Sequence, residues 1–338
     1  MAGTENRLKK IENIRVLAII LVVLGHSIIL YSPGWDLFET TRQAPLLSRL
    51  KRMIDLIQMP LFFSLSGYLF VFTHQKKWRI WKLASNKFAR LLVPYFGIGL
   101  LYMVPIRFSV GYSGYVGNHF GDIISKILLA NDVGHLWFLP ALFITFLISE
   151  IILTLVEKIS PLKNLSGLIL LIMSGLLYLE GYRIGLGYGP LLSAYNYLIW
   201  FSLGYCINTY GAYFQKLYEF CVIKWGLLLI NLFLLGFVFV TSTPVGLLLS
   251  VGLSTLMIFN IYVIMPEKSY SIVEKIDRNS FGIYLFHSPL IYITFACIPN
   301  ANPGIVVFVN FIVFGVTAFG LTELVRRTRL KVLIGEMK

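Results

Sequence analysis

Long apolar stretches, separated by brief polar or Pro/Gly-marked turns, follow one another along almost the whole chain. A helix needs roughly 20 residues to cross a hydrocarbon core of about 30 Å. Ten stretches reach or approach that length: 13–32, 53–73, 91–110, 136–158, 165–180, 190–208, 222–243, 244–264, 281–299 and 303–324. The pattern predicts an all-α, polytopic membrane helix bundle of about ten transmembrane helices. Only "TSTP" at 241–244 divides the seventh stretch from the eighth, and the missing donor of Pro244 suits a turn there.

Charge gives the stretches a direction. Of the 29 Lys and Arg residues, all but Arg42, Arg49, Lys51, Arg52, Arg107, Lys126 and Arg183 fall on the side that holds the N-terminus. The positive-inside rule therefore places both termini in the cytoplasm. The first outer loop, with Arg42, Arg49, Lys51 and Arg52, is the segment that fits poorly. The net charge of +13 then reads as topology and as contact with anionic lipid headgroups, not as a nucleic-acid footprint.

Composition agrees: the chain is 57% hydrophobic and 13% charged, with mean hydropathy +0.77, against about 25% charged in soluble domains. Cys206, Cys221 and Cys297 show no paired spacing, so neither a disulfide framework nor a zinc motif is expected. The first stretch has no small-residue cleavage site behind it and reads as a retained helix. The tail "VRRTRLKVLIGEMK" is too short to bury a core, so residues 1–338 are expected to form a single transmembrane domain with no appended soluble domain.

The informative residues are the ionisable ones inside the spans. "IRVLAIILVVLGH" (14–26) carries Arg15 and His26, 11 residues apart. At about 100° per residue they return to nearly one face, roughly 16 Å apart along the axis. A charge facing lipid costs several kcal/mol, so this face is expected to look into the bundle or a hydrated cavity. Arg15 taken alone is equally explained by snorkelling to the inner interface; His26, about 20 Å from the inner end on a short side chain, has no such escape.

His135, in "GHLWFLPAL" (134–142), opens the fourth span beside Trp137, as a site residue or as part of an aromatic-belt entry. His287, ahead of Pro289, is a site residue or an imidazole bonded to a carbonyl that the proline frees. Glu150 lies deep in the fourth span and needs a partner or a proton. His74 and His119 fall in loops and read as solvated. The histidines of the spans come from separate helices with no i, i+3 or i+4 pair, so no metal is expected. No G-x-S-x-G elbow supports a serine nucleophile.

A second cluster, "HQKKWRIWKLASNKFARLLVPY" (74–95), holds six basic residues and two tryptophans before the third span. It reads as an amphipathic stretch on the inner membrane surface. The alternative is a phosphate grip, with Lys87 and Arg90 on one helix face. Pro94 allows a bend.

The blocks "IENIRVLAIILVVLGHS" (11–27), "MPLFFSLSGYLF" (59–70), "KFARLLVPY" (87–95), "HLWFLPALF" (135–143) and "SFGIYLFHSPL" (280–290), in that order, resemble the acyltransferase type 3 family of bacterial integral membrane proteins. In length and texture the chain is most similar to the short polysaccharide and fucose O-acetylase-like branch. The resemblance implies a multi-pass protein of the cytoplasmic membrane. It would move an acyl group, usually acetyl from acetyl-CoA, to a hydroxyl of a surface glycan or its lipid-linked precursor. Acyl-CoA, the saccharide acceptor and membrane lipids are then the partners, with no permanently bound cofactor and no nucleic acid.

By resemblance, Arg15 and His26 match the family's arginine and histidine of the first span, Arg90 the arginine ahead of the third, and His135 and His287 two further histidines. Glu12 stands where an aspartate is expected, and Lys87 where an arginine is commoner. Lysine binds phosphate as a point charge without bidentate geometry.

A sugar hydroxyl needs a base as it attacks a thioester. His26 is the expected base, with Arg15, Lys87 and Arg90 on the donor's phosphates. His135 is a second base or an acyl carrier, and direct transfer is the expected route. Glu150 and His287 are further polar residues of the pore. A glycan transporter or flippase would use the same intramembrane groups as proton relays, but the matching broken helices of two halves are not seen. Succinyl or another short acyl group fits the same residues, and a scaffold that has lost catalysis is disfavoured by the retained Arg15, His26 and Arg90.

Overall fold

The computed structural model describes residues 2–32, 35, 37–131, 133–184, 189–215, 225–226, 228–231 and 244–337. Among them there is no strand. The helices are α1 Ala2–Ser27, α2 Pro45–Asp55, α3 Gln58–His74, α4 Ile80–Lys87, α5 Val93–Ile98, α6 Val104–Ser109 and α7 Phe120–Leu128. They continue as α8 Phe138–Glu157, α9 Ser166–Ile184, α10 Gly189–Gln215, α11 Pro244–Ile264, α12 Ser271–Cys297, α13 Pro303–Phe308 and α14 Phe314–Arg326.

Six helical runs are long and apolar enough to cross a membrane: Pro45–His74, Ile80–Ser109, Gly134–Glu157, Pro161–Glu180, Ser271–Cys297 and Pro303–Arg326. They take up six of the ten expected stretches. Every 18-residue window of α1 contains Lys10, Glu12 and Arg15, which keeps it out of that set. The expected seventh span, with Cys221 and "TSTP", lies mostly outside the described residues.

The second run begins earlier than the apolar pattern suggested, with Pro45 at the first helical position, where its missing N–H costs nothing. Part of the expected outer loop is therefore amphipathic helix α2. Ser48, Lys51 and Ile54 are buried at three-residue intervals, while Arg49 and Arg52 are exposed.

The chain forms two compact units: Met1–Ala18, Asp55–Leu83 and Ile144–Glu274, and Ile19–Ile54, Ala84–Phe143 and Lys275–Lys338. In the first, α3 and α10 pack backbone to backbone. A Cβ on Gly67 would sit 1.8 Å from the Phe201 carbonyl oxygen, and one on Gly204 the same distance from that of Ser64. Small residues on both helices permit this approach. Around it Phe63 stacks on Tyr197, ring centroids 4.7 Å apart, and Asn208 Nδ2 donates to the Tyr68 carbonyl at 2.8 Å.

The second unit is built from helices with interrupted ladders. Residues Phe88–Leu92 and Gly99–Met103 are π-turns, each followed by Val-Pro. Pro94 and Pro105 have no N–H for the carbonyl four residues back and crowd it, and the widened turn relieves that crowding. Pro289 lies inside α12 and likewise has no N–H for the carbonyl four residues back. Gly282 of α12 faces Thr322 of α14, whose side chain a Cβ would meet at 2.2 Å. After α14 the chain turns back through Arg329–Ile334 and buries Ile334.

Gly67→Ala and Gly204→Ala should each force α3 and α10 apart. The expected loss is about 1–3 kcal/mol or more of stability, read as a lowered thermal midpoint of purified protein, with Gly175→Ala, which meets open space, as the neutral control.

Candidate functional site

Three histidines meet in the second unit. His26 lies in the last turn of α1, His135 in the 3-10 turn Gly134–Trp137 that leads into α8, and His287 two residues before Pro289 in α12. Ring centroids are 5.0 Å apart for His26 and His287, 5.8 Å for His135 and His287, and 6.4 Å for His26 and His135. His135 and His287 are buried; His26 keeps part of its surface exposed.

Backbone carbonyls set the direction of the hydrogen bonds. His287 Nδ1 is 2.8 Å from the Ile283 carbonyl oxygen, which can only accept, so this nitrogen carries the proton. In the neutral ring Nε2 then has a lone pair, and it lies 2.8 Å from His26 Nδ1. His26 therefore donates through Nδ1 and keeps its own lone pair on Nε2. His135 Nε2 donates to the Leu285 carbonyl at 3.2 Å. That carbonyl lies four residues before Pro289, which has no N–H to offer it. The proline does free a carbonyl for an imidazole, but the imidazole is that of His135. The Tyr284 hydroxyl donates to the His135 carbonyl and the Tyr102 hydroxyl to that of Phe286, at 3.1 Å in the latter pair.

Two of the cations that the charge pattern places on the outer side lie near this cluster. Arg107 is fully buried at 0% exposure, its guanidinium carbon 4.3 Å from the Tyr112 ring, 5.4 Å from Tyr292 and 5.8 Å from Tyr115. Its Nη2 donates to the Tyr292 hydroxyl at 3.3 Å. Gly134 is required there twice: its φ is +53°, and a Cβ would fall 2.3 Å from Arg107 Nη2. The clue in the sequence was an arginine inside an apolar stretch with Tyr112 and Tyr115 just behind it. Lys51 is buried on the inner stripe of α2, and its charge acts on His26. Of the four basic residues of the expected outer loop, Lys51 alone is buried; Arg42, Arg49 and Arg52 are exposed.

Lys87 ends α4, and Arg90 lies in the following π-turn with its side chain exposed; their charges act on each other. The Arg90 carbonyl, left without the Pro94 N–H, is approached by Gly335, where a Cβ would stand 2.9 Å from the oxygen. Arg15 belongs to the first unit, half-buried on α1, and its charge acts on Tyr262. The unbroken α1 keeps Arg15 and His26 on one helix face.

His74 is not solvated. It is buried at the end of α3, with Nδ1 2.9 Å from Glu150 Oε2 and Nε2 3.1 Å from Glu157 Oε1. This is the partner that Glu150 required. Each contact holds one proton, so the triad carries a net charge of −1 wherever those protons sit. His119 is exposed and begins α7, its backbone N–H donating to Asp122. Among the described residues no group of three or more His, Cys, Asp or Glu side chains is placed to hold a metal ion.

A protein-family model described as an acyltransferase domain, type 3, matches residues 8–323. No curated protein and no solved structure matches the chain.

His74→Ala strands Glu150 in the interior of the first unit. It should lower stability by about 3–5 kcal/mol, measured by thermal or denaturant unfolding in detergent. Pairing His74→Leu with Glu150→Leu removes the stranded charge and should recover most of that loss.

Proposed function

Because the chain belongs to the acyltransferase type 3 family, a family of multi-pass membrane enzymes, we propose that it transfers an acetyl group from acetyl-CoA to a hydroxyl of a cell-surface glycan or its lipid-linked precursor. The proposed setting is the bacterial cytoplasmic membrane, with ten spans and both termini inside. The observation that carries the reading is the hydrogen-bond chain from the Ile283 carbonyl through His287 to His26, which leaves a lone pair on the one ring of the three that is partly exposed.

In this reading His26 Nε2 takes the acceptor's hydroxyl proton as the oxygen attacks the thioester carbonyl. The tetrahedral oxyanion collapses, the carbon–sulfur bond breaks, and the departing thiolate recovers the proton from Nε2 as the thiol. The acceptor gains the acyl group and His26 returns to its starting state. His287 is a positioning residue that fixes the His26 tautomer. The oxyanion requires a fixed donor or cation in a dry site, and we assign that part to Lys51, buried and electrostatically felt by His26. Lys87 and Arg90 hold the donor's phosphates, and the family resemblance gives Arg15 the same task. His135 serves as a second base, with transfer direct from donor to acceptor.

His26→Ala should reduce transfer by about 10²–10⁴-fold, with glycan O-acetylation in cells, read by mass spectrometry, falling accordingly. Unchanged acetyl content would remove His26 as the base. Lys51→Met should lower kcat by about 10²–10³-fold with CoA affinity intact; a loss confined to KM would overturn its role. Radiolabelled acyl trapped on protein without acceptor, and abolished by His135→Ala, would replace direct transfer with a histidine carrier.

A further inference from the structure

Residues 327–337, which follow α14, are fastened more firmly than a surface tail requires. Ile334 is buried at 4% exposure, and Leu333 packs where a Cβ on Gly97 would stand, 2.4 Å from its Cδ2. Gly335, at φ +72°, closes the 3-10 turn and lies on the Arg90 carbonyl and the Phe281 ring. Only glycine suits that position, because φ is positive and a Cβ would press on backbone. Glu336 is held by Arg326 Nε at 2.7 Å. Arg326 is itself consumed: Nη1 donates to Asn279 at 2.6 Å and Glu323 at 2.8 Å, and Nη2 to the Arg278 carbonyl at 2.9 Å.

This docking shapes a cavity of about 730 Å³ whose lining includes Arg327, Arg329, Lys331, Val332, Glu336 and Met337. The volume falls within the range of small-molecule pockets, about 300–1,000 Å³. Three cations face one carboxylate, and that carboxylate is already paired with Arg326. Among the described residues, Arg327, Arg329 and Lys331 make no ion pair with the protein. Guanidinium groups match phosphate oxygens in bidentate fashion, and Lys331 adds a point charge. Val332 and Met337 supply an apolar wall of the kind a purine ring covers. The same segment carries Gly335, which ties the cavity to the backbone of Arg90. The segment lies beyond the matched residues 8–323, so family membership gives it no role.

Resting on the acyl-CoA reading, we infer that the docked C-terminal segment forms the pocket for the nucleotide end of the donor, a nucleoside 3′,5′-bisphosphate, with Arg327, Arg329 and Lys331 on its phosphates. Lys87 and Arg90 then serve the same ligand from the adjoining turn.

The test is calorimetric titration of the purified full chain with CoA, with dephospho-CoA and with adenosine 3′,5′-bisphosphate. The unaltered chain should bind CoA about tenfold more tightly than dephospho-CoA, and the bisphosphate alone should compete. Arg327→Gln with Arg329→Gln should weaken CoA by about tenfold or more and erase the preference for the 3′-phosphate. Lys331→Gln, at a half-buried site outside the Arg326 network, gives a second variant if the double one aggregates, with a smaller loss in the same direction. Equal CoA affinity in monodisperse variants, or no preference for CoA over dephospho-CoA, overturns the inference. Failure of the unaltered chain to bind CoA at all overturns the donor reading itself, a distinguishable result.

Discussion

A proline inside a helix has no hydrogen to give, and in α12 that single deficit organises the second unit's polar interior. Pro289 leaves the Leu285 carbonyl without its intrahelical donor. A buried carbonyl without a partner is costly, and His135 answers it from a different part of the chain. The turn that carries His135 depends on Gly134 in the left-handed region, and Gly134 in turn leaves room for the Arg107 guanidinium. Two residues earlier on α12, the Ile283 carbonyl fixes the His287 ring, and His287 fixes His26.

The same principle recurs at the opposite end of the third apolar run. Pro94 denies a donor to the Arg90 carbonyl, the preceding turn widens, and the returning C-terminal segment covers the site with Gly335. In both places a gap in the helix ladder is where a distant piece of chain docks. Such gaps are a sound place to look for chemistry, because a regular helix has already spent its backbone donors and acceptors on itself.

Much of this was legible in the sequence. The six apolar runs follow from hydropathy, and the three histidines could be singled out because an imidazole in a span must meet something polar. Their meeting through Pro289 was half visible: the freed carbonyl was foreseen, its occupant was not. What stayed hidden depends on contacts between distant residues. His74 stands at the edge of "HQKKW", which looks like loop, and its carboxylates lie 76 and 83 residues away. Lys51 and Arg107 were counted among topology charges because a charge rule sums residues and does not see burial. The amphipathic period of α2, with Ser48, Lys51 and Ile54 on one side, was the signal that separates Lys51 from Arg49 and Arg52.

The directed order Ile283, His287, His26 has a consequence for motion. A hydrogen nucleus arriving at His26 Nε2 leaves every other bond in the row as it was, since Nδ1 still points at His287 and His287 still points at the carbonyl. No ring has to flip and no side chain has to change rotamer. The cluster is thus a seat that can be filled and emptied with almost no rearrangement of heavy atoms, held still by backbone on one side and open only on the other.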